Sequence, residues 1–576
     1  MLNIRNSFIV IFLLLFFHEG FAQATYPTSI FRSPVDFPIQ LSGTFAELRD
    51  DHFHSGIDIK TGGVSGKPIY SIGEGYVSRV KVSPYGFGNA IYVTHPEGFV
   101  SVYAHLDHFS DAVQSVVFRE QYKRKRFAVD LPLRPGLIQV KKGEVIARSG
   151  NSGSSAGPHL HFEIRDLETQ RIINPLHFGF PVKDFIRPKI CGLMVYPESN
   201  ETTIDGKAEP VSYSVEGWGL VYRPQNYHRI NVSGPFSLGI CTYDLLNDAP
   251  NKNGVYRLEL LVNGDRIWQW TADDFSFSET GYINSFIDYS TYSEQNRRYI
   301  RTAIDPNNRL SMYAPDSKSG VIFPQEGKLQ SVFLRVFDFS GDTSLLTMEF
   351  IASKPLLSPQ DEPKQPVQKI FHWDTENQFE TDSVAVHMIK GSLFRDMNFT
   401  YSNEPLPEGI TGFSALHHIG QPDAIAYLNY SLSIVPDSLP LIPQEKLCLA
   451  IYNNGKVSYA GGTFKDGRVH LRTRKFGHWF ITADTTAPQI RVLNSNPLNE
   501  KGKPAALRFF VKDDFSGVAS YNAYVNDQWV LLQYDAKNDQ MYYFPDAFLP
   551  KGTNPFTLVV SDAAGNEEIL RFTIHN

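Results

Sequence analysis

Cysteine is scarce in this chain: Cys191, Cys241 and Cys448 are the only three in 576 residues. So few exclude a disulfide framework and a thiolate zinc site, and they allow at most one bridge within the chain. Cys191 and Cys241 lie in neighbouring strand-like segments and are the natural pair; three buried thiols are the alternative. An excess of positive charge is also missing. With 54 Lys and Arg against 61 Asp and Glu, the net charge is -7, which excludes a global attraction to nucleic acid. Methionine is rare at 7, whereas Gly, Pro, Phe and Tyr number 42, 36, 42 and 28, a balance that favours strands and turns over helices. An all-β chain is expected, and 576 residues are too many for one core.

The one long apolar run, "FIVIFLLLFF" from Phe8 to Phe17, follows Arg5 and precedes small residues at Ala22 and Ala24. It is too short to span a bilayer comfortably, so residues 1–24 read as a cleaved signal peptide and the mature chain has no membrane span. No cysteine follows it to carry a lipid anchor. Export to the periplasm, cell surface or medium is the expectation.

The rest divides by composition. A histidine-rich block covers residues 25–187, a strand-like block 188–354, a Pro-rich linker 355–368, a third β-rich block 369–484 and a last one 485–576. "SVFLRVFDFSGDTS" from Ser331 and "PFTLVVSDAAGNEE" near the end share a pattern of alternating strand, Asp and Gly turn, as expected of two related Ig-like sandwich modules. Their aspartates, Asp338 and Asp562, suit either calcium binding or the commoner job of capping their own turns. His417 and His418 in "ALHHIG" have no carboxylate or Cys partner at metal spacing.

Three stretches of the first block carry histidine. In "HFHSGIDIK" (His52 to Lys60), Gly56, Ile57 and Ile59 oppose a helix, and strand alternation puts His54, Gly56 and Asp58 on one side. His52 reads as a solvated neighbour. In "GPHLHFEIR", His159, His161 and Glu163 share a face opposite Leu160, Phe162 and Ile164. In "VSVYAHL", Ser101, Tyr103 and His105 are expected opposite Val100, Val102 and Ala104. As sheet neighbours, the three strands would line one groove. A catalytic zinc takes three N, S or O donors and leaves a fourth position open. His54, Asp58 and one of His159 and His161 would supply that set, with the remaining histidines placed for proton transfer or charge stabilisation. An HxH alone arises by chance in an alternating strand; these three patterns together in this order do not.

From about Gly43 to Pro175, "HSGIDIKT", "GKPIYSIGEGYVSRV", "YGFGNAIYVTH", "YAHL", "KKGEVIARSGNSGSSAGPHLHFEIR" and "INP" resemble the lysostaphin or LytM-type zinc endopeptidases of bacterial cell walls. The resemblance implies an antiparallel β domain with a groove across its sheet. It implies His54, Asp58 and His161 as zinc ligands and His105 and His159 as the catalytic pair. It further implies metal-activated hydrolysis of peptide cross-links in peptidoglycan, with the peptide stems as partners. Family members that lost catalysis instead activate other wall hydrolases, but they typically lack ligands that this sequence retains. Asp107 to Gln139 is longer than the family pattern needs, and "AVQSVVFREQYKRKRF" within it suggests a short helix ending in a basic cluster. That insertion reads as a solvated excursion or as a groove wall. The C-terminal β modules read as spacers or as docking sites for a protein partner.

Overall fold

Apolar and polar residues alternate through the histidine-bearing segments, and the computed structural model pairs those segments into one sheet. The structure describes residues 26–226, 229–353, 367–498 and 505–575. The expected signal peptide and most of the Pro-rich linker lie outside them. Strand Ile57–Lys60 pairs antiparallel with His159–Asp166, which pairs on its other edge with Phe99–Ala104. The sheet continues through Ala90–Thr94 and Gly75–Val82 to Val129–Pro132, with Leu41–Gly43 outside Ile57–Lys60. Ile57, Ile59, Leu160, Phe162 and Ile164 are fully buried in a common core, as alternation requires.

The register corrects one expectation. Ala104 lies opposite His161 and Tyr103 opposite Phe162, so Ala104 faces the groove and Tyr103 enters the core. The buried phenol is satisfied there: its oxygen accepts the Ile72 N–H at 3.0 Å and the Ser101 hydroxyl at 3.0 Å. The strand ends at Ala104, and His105 takes a left-handed φ of 58°, which leaves the strand's alternation behind. His54 is likewise outside the strand proper, which begins at Ile57. Its N–H donates to Glu47 O and its carbonyl accepts from Ala46 N–H, both at 2.9 Å.

Within the insertion, Asp111–Arg124 forms a helix that buries Val113, Val117 and Gln121 and ends at Lys125 in the left-handed conformation. One side of its far end is covered, while Lys123, Arg124, Lys125 and Arg126 stay exposed. Tyr122 stacks on Phe548 of the last module at 4.5 Å, and its hydroxyl accepts the Leu531 N–H at 3.3 Å and hydrogen-bonds Asp546. Phe127 packs against the last module's core. The solvated excursion is therefore replaced by a docking platform, because Tyr122, Phe127 and Phe548 remove apolar surface from water together.

Three β modules follow. The first combines a five-stranded and a seven-stranded sheet over a core that includes Leu193, Leu238, Leu260 and Leu334. Phe45, Phe53 and Ile172 of the histidine-bearing domain join that core, and Ile172–Ile173 pairs with Asp274–Phe275 of the module. The seam is thus packed through side chains and backbone alike. The next module has sheets of six and five strands, the last two sheets of four. Cys191 and Cys241 form a disulfide across adjacent strands, with Cα atoms 5.2 Å apart. Cys448 is a buried thiol pushed up to about 12 by burial and by Asp484. Among the described residues, no helix is long and apolar enough to cross a membrane.

Candidate active site

The cross-strand pair His161 and Asp58 forms the floor of the groove, and the segment before Ile57 brings His54 against it. His54 Nε2 lies 3.0 Å from Asp58 Oδ1 and 3.0 Å from His161 Nδ1, which is itself 3.1 Å from Asp58 Oδ1. All three residues are buried. The other nitrogen of each histidine is committed: His54 Nδ1–H donates to Thr44 O at 2.7 Å, and His161 Nε2–H donates to Glu163 Oε1 at 3.0 Å. Two imidazole nitrogens and a carboxylate oxygen therefore converge on one point. A set so close needs a positive charge among its members, either a proton on the imidazoles or a bound cation. This donor set, two nitrogens and one carboxylate, fits zinc.

The electrostatics state the same demand. Burial would raise the Asp58 carboxyl, but His54 and hydrogen bonds from His159, His161 and His54 hold it well below the usual range. Burial would lower His161, yet Asp58 and Glu163 raise it to about 9. Arg49 adds a charge to the outer oxygen, with Nη2 2.9 Å from Asp58 Oδ2. Gly43 makes room for that pair, since a Cβ there would stand 2.5 Å from Arg49 Nη2 and 2.6 Å from Asp58 Oδ2.

His105 and His159 stand at the mouth, their rings 4.8 Å apart. His105 Nδ1–H donates to Ser152 O at 2.9 Å and His159 Nδ1–H to Gly157 O at 2.8 Å, so each presents Nε2 to the groove. His159 Nε2 is 3.4 Å from Asp58 Oδ1. Burial, and then His161 and His159, lower His105 to about 3, which keeps it neutral at pH 7. Its left-handed backbone is a strain held by the His105 N–H to Phe87 O bond of 2.9 Å. The His52 side chain is exposed and hydrogen-bonds Asp51. All five expected residues thus meet in one groove. Arg49 and Arg165 went unnoticed in the sequence; only the place of Glu163 on the polar face of its strand hinted at the second of them.

Residues 52–122 and 136–175 match the family described as Peptidase family M23, and this domain belongs to it. Residues 368–484 match the Zu5-like domain. The chain is 30% identical over 131 residues to the DD-carboxypeptidase/endopeptidase Mpg of Neisseria meningitidis, covering 23% of this chain and 24% of that protein. It is 30% identical over 129 residues to the peptidoglycan DD-endopeptidase ShyB of Vibrio cholerae, covering 22% and 24%. It is 31% identical over 125 residues to the murein hydrolase activator NlpD of Salmonella dublin, covering 22% and 26%. The chain therefore spans about a quarter of the length of these relatives. Residues 123–135, unmatched by the M23 family, fall in the segment that docks the last module.

Proposed function

We propose that this chain is an exported, zinc-dependent endopeptidase that hydrolyses peptide cross-links of bacterial peptidoglycan. The observation that carries this reading is the convergence of His54 Nε2, Asp58 Oδ1 and His161 Nδ1 within 3.1 Å of one another, beside two histidines whose Nε2 atoms face the groove. His54, Asp58 and His161 are the metal ligands in this reading, and His105 and His159 the catalytic pair. Zinc, when bound, supplies a Lewis acid that polarises a carbonyl and lowers the pKa of water. The chain's own residues do the rest. His105, neutral and anchored through Ser152 O, accepts or shares a proton at Nε2; His159, its neighbour anchored through Gly157 O, does the same. A ring that has taken up the proton can then donate it to the oxygen on which charge develops. Glu163 fixes the tautomer of His161.

The test compares the full chain with its His54→Ala variant on purified peptidoglycans of different cross-link chemistry, with released fragments identified by mass spectrometry. New peptide ends from the native chain alone are expected. Identical fragments from both would overturn the reading.

A second reading, a gated domain, is favoured by one contact. Lys537 of the last module donates to Ser155 O at 2.9 Å and to Asn151 O, and Ser155 Oγ lies 3.2 Å from His159 Nδ1. The last module thus holds the loop that seats a candidate catalytic histidine. In this reading Tyr122→Ala and Lys537→Ala raise hydrolysis several-fold; unchanged rates would exclude it.

A further inference from the structure

Asp338, one of the two turn aspartates, has a use the peptidase reading does not absorb. It sits with Asp184 and Asp244 so that one oxygen from each lies within 4.8 Å of the others, and all three side chains are buried. The elements are separate. Asp184 belongs to the segment leaving the peptidase domain, Asp244 to strand Phe236–Leu245, and Asp338 follows strand Leu329–Phe337. Local turns use only part of the oxygen supply: Asp184 Oδ1 accepts the Ile186 N–H at 3.1 Å and Asp338 Oδ1 the Asp342 N–H at 2.8 Å. Asp244 Oδ1 and Asp338 Oδ2 are buried with no partner.

An independent group points the same way. Asn253 is the cross-strand partner of Asp244, so its side chain leaves the same face, and its Oδ1 is also buried without a partner at 3% residue exposure. Nearby cations are engaged elsewhere, Lys183 with Asp248 and Arg187 with Asp342, each at 3.4 Å.

We propose that Asp184, Asp244 and Asp338, with the amide oxygen of Asn253, bind a calcium ion at the seam between the peptidase domain and the following module. The donors are all oxygen, which suits a hard cation, and neither sulfur nor imidazole is there to select zinc. Calcium tolerates an irregular oxygen shell better than magnesium does. A cavity of about 520 Å³ is lined by two of the four donors, Asp184 and Asp244.

The last module repeats the frame. Asp484 in "DTTAP" precedes its first strand as Asp184 in "DFIRP" precedes that of the earlier module; Asp513 and Asp562 follow or end the matching strands. These three also offer oxygens within 4.8 Å, and Asp484 Oδ2 is buried without a partner. Here, however, Asn566 Nδ2 already donates to Asp562 Oδ2 at 2.7 Å, so its supply of free oxygen is smaller. The seam site is the tighter of the two.

The test titrates calcium chloride into the EGTA-washed full chain, reading bound ions by calorimetry and unfolding by thermal scan. The native chain should bind calcium and unfold about 5 °C higher at a hundredfold excess over the dissociation constant. Asp244→Asn should bind one ion fewer and lose most of that rise, yet unfold no lower than the native chain without calcium, because it removes a buried repulsion. His54→Ala should bind the native number, which separates this site from the peptidase groove. No calcium bound at millimolar concentration, or an unchanged count in both Asp244→Asn and Asp338→Asn, would overturn the proposal.

Discussion

Glu163 is the pivot between stability and chemistry in this fold, and the two roles can be separated. It is fully buried; Oε2 accepts from Arg165 Nε at 2.8 Å and Nη2 at 2.5 Å, while Oε1 accepts from His161. Burial alone would raise its carboxyl, but Arg165 and His161 hold it down at about 2. Glu163→Leu strands the Arg165 guanidinium, which is buried as well, and leaving one partner of such a pair costs about 3–5 kcal/mol. Glu163→Leu with Arg165→Met removes both charges, and the stability should return to within about 1–2 kcal/mol of native. The double variant still lacks the acceptor that fixes the His161 tautomer, so zinc affinity should remain roughly 10–100-fold weaker. Urea unfolding measures the first effect and competition with a chromophoric chelator the second. A double variant that binds zinc like the native chain would refute the orienting role, and a single variant losing under 1 kcal/mol would refute the buried-pair argument.

Three further outcomes follow from the same coordinates. His105→Ala should keep the ligand set and its zinc while slowing hydrolysis by about 10²–10⁴-fold, checked by metal analysis and fragment release. Because Asp244 and Asp338 titrate higher in the folded chain than in the unfolded one, calcium-free stability should fall as pH rises from 5 through 8. The slope is about 1.4 kcal/mol per pH unit for each carboxyl still protonated in the folded state; Asp244→Asn should flatten it in denaturant titrations, and a flat native profile would contradict the raised values. Finally, Cys191 and Cys241 close a separation of 50 residues, so replacing both with Ser should cost about 4 kcal/mol, measured by unfolding against the native oxidised chain.

Within the sequence, the histidine cluster was the most legible part. His54, Asp58, His159 and His161 lie in short stretches whose alternation assigns a polar and an apolar side, and the structure brings them together in one groove. The disulfide was half legible: two cysteines in neighbouring strands, with only the pairing of Lys189–Pro197 against Phe236–Leu245 to bring them together. The YAHL strand was misread for a physical reason. Alternation says which residues share a side but not which side is the core, and the buried Tyr103 ring decided that against its polar hydroxyl.

Local pattern by itself determined the β character of this chain, the order of its histidine motifs and the chemistry they are suited to, because period and donor type are properties of a few consecutive residues. Tertiary structure alone decided the rest. It brought His105 into the groove through a left-handed turn, set Arg49 behind Asp58 in the space left by Gly43, and seated the last module on the inserted helix. It also gathered Asp184, Asp244 and Asp338 from segments up to 154 positions apart. Each of these depends on strand register and on burial across long separations, quantities that no stretch of neighbouring residues contains.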